Sequence, residues 1–164
     1  MSMTRDSLSR LVRAGLLTGV SDGLFACVLS VVFYKSTLMR LWQGVASTVL
    51  GPSAFDGGLA TTLVGLLMHF GVAFAWSAVF LTIYERSPAI RRTVATRYGA
   101  LRVAAVYGPC VWIVMSLAVI PLLVHRPPSF TNRWFIQLIG HFPFVGLPIV
   151  WSIRGGFAEH ESFA

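Results

Sequence analysis

Charged residues are scarce in this sequence. Only 12% of its 164 residues are Asp, Glu, Lys or Arg, whereas soluble globular domains contain about 25%. So few charges cannot cover a water-soluble particle of this size, which excludes a cytosolic enzyme. Two cysteines are too few for a small secreted disulfide framework. Because 55% of the residues are hydrophobic, we expect one domain, over residues 1–164, that lies in a lipid bilayer.

Catalytic signatures are also missing. The sequence has no GxSxG, no HExxH, no P-loop and no dinucleotide fingerprint. Its six acidic residues leave the loops without the carboxylates of a metal-dependent phosphotransferase site. We therefore expect no enzyme and no metal site.

Long apolar runs are what the sequence does contain. A helix needs roughly 20 mostly apolar residues to cross the hydrocarbon core, and four stretches satisfy this length. They are residues 14–33, 59–83, 103–124 and 134–153. None shows the period-two alternation of a membrane barrel. The sequence therefore predicts an all-α fold, an integral membrane four-helix bundle.

The basic residues fall unevenly between the two sides of such a bundle. One side receives nine of the thirteen: Arg5, Arg10, Arg13, Arg86, Arg91, Arg92, Arg97, Arg102 and Arg154. The other side receives Lys35, Arg40, Arg126 and Arg133. By the positive-inside rule, both termini and the second loop lie in the cytoplasm. This distribution explains the net charge of +7 without a nucleic-acid partner.

The loop between spans one and two contains a helical pattern. Apolar residues recur at helical spacing over residues 37–50, a segment too short to cross a membrane. We expect a short interfacial helix with Trp42 at the level of the lipid headgroups. The segment can also pack onto the end of the bundle, and the two arrangements are compatible. The Gly51-Pro52 pair ends it.

A stripe of small residues runs along the first span. Gly15, Gly19 and Gly23 form a GxxxGxxxG pattern, which lets another helix approach closely in lipid. The partner is either another helix of this chain or a second protein. The second case implies a homo-oligomer or a different membrane-protein partner.

Ionisable side chains inside the spans form the main candidate site. At 1.5 Å of rise per residue, Asp22, His69 and His141 lie about 17, 15 and 10 Å below the outer ends of their helices. Gln137 lies one turn before His141. We expect these four residues to form a buried polar layer, because a lone charge facing lipid is costly.

Three functions are compatible with such a layer. The favoured one is a non-catalytic structural or interaction subunit, without a cofactor, in which the polar groups fix helix packing. The second is a transporter or channel unit that moves protons through the layer. The third is a haem-binding redox subunit with His69 and His141 as axial ligands. Glycines that could give a planar macrocycle room are Gly65, Gly71, Gly140 and Gly146.

Prolines interrupt the third and fourth spans. Pro109 and Pro121 lie in one, and Pro143 and Pro148 in the other. Each proline removes a backbone hydrogen bond and favours a kink. Two irregular helices beside a glycine-lined one could form a pocket or a hinge, or they could simply fit a compact bundle.

Several segments resemble a known group of proteins. They are QGVASTVLGPSAFDGG, LVGLLMHFGVAFAWSAVF, YGPCVWIVMSLAVIPL and HFPFVGLPIV. Together these resemble small, uncharacterised four-span inner-membrane proteins of proteobacteria. The resemblance covers most of residues 10–154. It implies a four-helix fold and a bacterial inner membrane, and it transfers no activity.

Overall fold

The computed structural model describes residues 4–155, and this part of the chain is helical without any strand. The expected domain of residues 1–164 also includes residues 1–3 and 156–164, which lie outside the described part. The six helices are α1 (Arg5–Phe33), α2 (Leu38–Leu50), α3 (Gly58–Arg86), α4 (Pro88–Val94), α5 (Arg97–Val124) and α6 (Asn132–Ile153). A short 3₁₀ turn, Pro52–Asp56, connects α2 to α3.

Four of these helices are long and apolar enough to cross a membrane. They are α1, α3, α5 and α6, so the expected all-α fold with four such segments is confirmed. Helix α1 begins earlier than its apolar run because Thr4 caps it: the Thr4 hydroxyl accepts a hydrogen bond from the Ser7 backbone N–H at 3.1 Å. Polar end turns therefore extend the helices beyond the segments that hydropathy identifies.

The bundle has two different ends. At the end that carries the start of α1 and the end of α6, here named the terminal end, α4 joins α3 to α5. Arg10 donates to the carbonyl of Ile153 at 2.7 Å, and Arg154 donates to the carbonyl of Val94 at 3.1 Å. These bonds tie α6 to α1 and to the α4–α5 connection. The opposite end, here named the α2 end, carries α2 and the loop before α6.

The hydrophobic core fills the half of the bundle nearest the terminal end. Small side chains on α5 allow α6 to approach closely there. A Cβ atom on Gly108 would collide with the backbone carbonyl of His141, and one on Gly146 with that of Ala104. The fully buried core residues around this crossing are Ala14, Phe80, Val94, Ala100, Ala104, Ile149, Val150 and Ile153.

Three of the long helices contain a π-helical turn. These turns are Leu29–Phe33 in α1, Met115–Val119 in α5 and Phe142–Gly146 in α6. Pro143 lies within the last of them, and Pro121 follows the second by two residues. Because proline has no N–H to donate to the carbonyl four residues earlier, it favours such irregular turns. The expected proline irregularity is therefore present in both α5 and α6.

Helix α2 packs directly on the bundle. Its backbone at Trp42 and Ala46 contacts α3 at Gly65, where an added Cβ would collide with the Trp42 carbonyl. The Trp42 side chain is only 8% exposed. Its ring lies 5.1 Å from the imidazole of His69, centroid to centroid. The indole therefore points into the bundle and not toward lipid headgroups, as expected for a segment that packs onto the end of the bundle.

Candidate functional site

A large cavity occupies the half of the bundle nearest the α2 end. Its volume is about 700 Å³, and residues of α1, α2, α3, α5 and α6 line it. Trp76, Val111 and Val145 are its deepest lining residues on their helices. Just beyond them, the Tyr107 hydroxyl donates to the Trp76 carbonyl at 2.6 Å and joins α5 to α3. The cavity is therefore closed toward the terminal end, where the core begins.

The expected polar residues all lie along this cavity. Asp22, His69, Gln137 and His141 line it, together with Thr18. Nδ1 of His69 lies 4.0 Å from Oδ2 of Asp22, and these two side chains are only 13% and 19% exposed. His141, on α6, lines the same cavity. The fold thus places side chains from three helices at one site.

The hydrogen bond of His69 orients its ring. Nε2 lies 2.9 Å from the backbone carbonyl of Gly19. Because a carbonyl can only accept, Nε2 carries the proton, and in the neutral ring Nδ1 is the acceptor. Nδ1 is the atom that faces Asp22. The imidazole therefore presents its acceptor nitrogen toward that carboxyl group, at 4.0 Å and without a direct hydrogen bond.

His141 is oriented by its own helix. Its Nδ1 lies 2.7 Å from the carbonyl of Gln137, so Nδ1 donates and Nε2 is the acceptor of the neutral ring. The indole of Trp112 packs on the imidazole at 4.9 Å between ring centroids. Gln137 thus orients the His141 ring with its backbone carbonyl and not with its side chain. A pattern of side chains in the sequence cannot predict such a contact.

Two acceptor atoms at the base of the cavity are unpaired. Oδ1 of Asp22 and Oγ1 of Thr18 are buried and have no hydrogen-bond partner within residues 4–155. They lie one turn apart on α1. Because buried polar atoms are normally paired, an unpaired one calls for an explanation. Because both residues line the cavity, these oxygen atoms can accept a proton or a hydrogen bond from a bound molecule.

Arginine side chains stand at the other end of the cavity, and the sequence pattern did not identify them as site residues. Arg40 and Arg133 are exposed lining residues, so the cavity reaches the surface here. The guanidinium of Arg40 lies over the ring of Phe55 at 5.6 Å, and that of Arg133 over the ring of Tyr34 at 4.5 Å. From the sequence, both residues were used only to predict the orientation of the helices in the membrane.

The walls between the arginines and the base are mostly apolar. Helices α3 and α5 each contribute a methionine, and three indoles add aromatic surface. These wall residues are Leu41, Trp42, Val45, Met68, Val72, Trp76, Trp112, Met115, Val119, Ile120 and Leu123.

The glycine stripe of α1 is used within the chain. An added Cβ on Gly15 would meet the ring of Phe74, and one on Gly19 the ring of Phe70. At Gly23 it would lie 3.3 Å from Nε2 of His69. The helix that packs against the stripe is therefore α3, so the stripe has a partner within this chain.

The residues present do not suit a haem. Of the glycines expected to leave room for it, Gly65, Gly140 and Gly146 are filled by backbone or aromatic contacts. Nε2 of His69 is held by a backbone carbonyl and is not directed at an iron position. Within residues 4–155 there is also no group of three His, Cys, Asp or Glu side chains that could hold a metal ion. We therefore assign no step to such a group.

Comparisons with protein families, with curated proteins and with solved structures return no match for this chain.

Proposed function

We propose that this protein is a non-catalytic integral membrane protein that binds a small ligand in the cavity at its α2 end. The observation that carries the proposal is a cavity of about 700 Å³ with Asp22, His69 and His141 near its base. Ligand pockets span about 300–1,000 Å³ and combine apolar walls with a few polar groups. This cavity has both properties.

A purely structural role for the polar layer accounts for less of the molecule. Protein interiors are close-packed, and the other half of this bundle follows that rule. Polar groups that only fixed helix packing would be paired with each other. Instead, Oδ1 of Asp22 and Oγ1 of Thr18 are left without partners. Ionisable groups inside membrane spans commonly mark functional sites.

The proposed setting is a bacterial inner membrane with both termini in the cytoplasm. The resemblance to four-span inner-membrane proteins supports the membrane, and the distribution of basic residues supports the orientation. In that orientation the α2 end faces away from the cytoplasm, and a ligand enters from that side. In the same setting α2 lies near the outer interface while it covers the cavity.

Two matched glycine variants test ligand binding. A Cβ on either Gly44 or Gly71 would meet nothing within 4 Å, but only Gly44 lines the cavity. The probes are bromoundecanoate, bromoundecanol and bromoundecyltrimethylammonium, whose bromine quenches the fluorescence of tryptophans that it contacts. The protein is placed in nanodiscs of phosphatidylcholine.

We expect saturable quenching by at least one probe in the wild type and in Gly71→Phe. We expect Gly44→Phe, whose ring takes up cavity space, to weaken it by about tenfold or more, equivalent to about 1.4 kcal/mol. Equal quenching in the two variants, or none that saturates in the wild type, would contradict ligand binding in the cavity.

Proton-coupled transport is the second candidate. One observation that favours it is that the side chains of Asp22 and His69 lie next to each other in the cavity. A second is that α5 and α6 each contain a π-helical turn, because such turns frequently occur at functional sites. In proteoliposomes with an internal pH dye, the probe that binds should drive proton movement in the wild type and in Asp56→Asn, a loop variant. Asp22→Asn should abolish that movement, and unchanged proton movement would exclude this candidate.

A further inference from the structure

We propose that the ligand of the cavity is a single-chain amphiphile with an anionic head group, bound with its head between Arg40 and Arg133 and its chain along the apolar walls. This inference rests on the proposed function, because it names the chemistry of the molecule that the cavity takes.

The charges that line the cavity favour an anion. Arg40 and Arg133 are its cationic lining residues. Within residues 4–155 neither has a carboxylate at ion-pair distance, since the ion pairs there are Arg10–Asp6 and His69–Asp22. The single lining carboxylate, Asp22, faces an imidazole. A ligand anion therefore meets two unpaired cations at the entrance, and a ligand cation would be repelled there.

The two guanidinium groups are positioned before any ligand arrives. Each lies over an aromatic ring that belongs to a different segment: Arg40 over Phe55, and Arg133 over Tyr34. Stacking on a ring restrains the guanidinium and leaves its N–H donors available at the edges. Carboxylate and phosphate groups accept paired hydrogen bonds from such donors. The entrance of the cavity is thus suited to an acidic head group.

The space below the arginines suits a flexible chain. Along α1 the lining residues from Asp22 to Ser30 span a depth of about 12 Å. Over this depth the walls are mostly apolar, and Met68 and Met115 contribute side chains that adapt to irregular shapes. A chain bound here would occupy the mostly apolar part of the cavity between the arginines and Asp22.

The experiment compares probes that share one chain and differ in head-group charge. Tryptophan quenching is measured in neutral nanodiscs with bromoundecanoate, bromoundecanol and bromoundecyltrimethylammonium. The variants are Arg40→Gln/Arg133→Gln and the matched control Arg126→Gln, an exposed arginine at the same end that does not line the cavity. Bromoundecyl phosphate is added to distinguish a phosphate from a carboxylate head, and inorganic phosphate tests the head group alone.

We expect the carboxylate or phosphate probe to bind at least about tenfold more tightly than the alcohol. The double variant should remove this preference, and Arg126→Gln should retain it. Displacement of the bound probe by inorganic phosphate at the same concentration as by bromoundecyl phosphate would show that the chain adds nothing to binding and would overturn the amphiphile. Equal binding of all three charge types, still weakened by Gly44→Phe, would overturn the anion while the proposed function stands. If no probe binds saturably, both proposals fail.

Discussion

At the scale of single residues, His69 and Asp22 differ in how much their side chains contribute to helix packing. His69 donates to the Gly19 carbonyl at 2.9 Å and thereby links α3 to α1. Oδ1 of Asp22 has no hydrogen-bond partner within residues 4–155, and the His69 ring lies 4.0 Å from Oδ2. One residue therefore contributes to packing as well as to the site. The Oδ1 atom of Asp22, in contrast, is buried without a hydrogen bond that would offset the desolvation of its carboxyl group.

This difference predicts opposite effects of two substitutions on stability. His69→Ala should lower the free energy of unfolding by about 1 kcal/mol, the usual size of a side-chain hydrogen bond between membrane helices. Asp22→Asn should leave it within about 0.5 kcal/mol of the wild type or raise it. The measurement is unfolding by SDS titration in mixed micelles, followed by circular dichroism.

Leu67→Ala is the control for these variants, because Leu67 is 73% exposed on the same helix as His69. A large loss of stability in Asp22→Asn would show that the carboxyl group is structural after all.

At the scale of the helices, the sequence predicted α2 and the glycine stripe but not what each contacts. The periodicity over residues 37–50 identifies one apolar face, and a face of that kind fits a bilayer interface as well as another helix. Packing on the bundle depends on Gly65 of α3, which is small enough to admit the backbone of α2. No property of the α2 sequence contains this information.

The α2–α3 contact makes a prediction of its own. Gly65→Ala should force α2 away from α3, because the new Cβ meets the Trp42 carbonyl, which is backbone and cannot rotate aside. We expect a loss of about 1–3 kcal/mol, as for other overpacked positions. The same SDS titration measures it.

The matched control is Gly71→Ala on the same helix, where the added Cβ meets no neighbour. It should leave stability unchanged or raise it slightly, since alanine favours a helix. Equal effects at the two positions would contradict the close approach of α2.

At the scale of the whole molecule, hydropathy predicted the four long helices because that signal is additive along the chain. The convergence of Asp22, His69 and His141 followed in part from depth arithmetic. The cavity itself could not be predicted, because empty space corresponds to no residue type. Arg40 and Arg133 were missed for a related reason: they lie in different helices, α2 and α6, and only the fold brings them to one cavity.

Orientation is tested on the whole molecule by cysteine labelling. In a Cys27→Ala/Cys110→Ser background, a cysteine at Ser36 lies at the cavity entrance, and one at Ala95 lies in the exposed α4–α5 connection. By the positive-inside rule, a membrane-impermeant maleimide should label position 36 in right-side-out vesicles and position 95 in inside-out vesicles. The reverse pattern would place the cavity on the cytoplasmic side.

The bond between Arg10 and the Ile153 carbonyl has a consequence for how the chain is made. Among the helices described here, α1 is synthesised before the others, yet the carbonyl that Arg10 binds belongs to the end of α6. This bond can therefore form only after every other described helix has been made. A nascent chain that stops before α6 would keep the Arg10–Asp6 ion pair within α1, but the terminal end of the bundle can close only once α6 is complete.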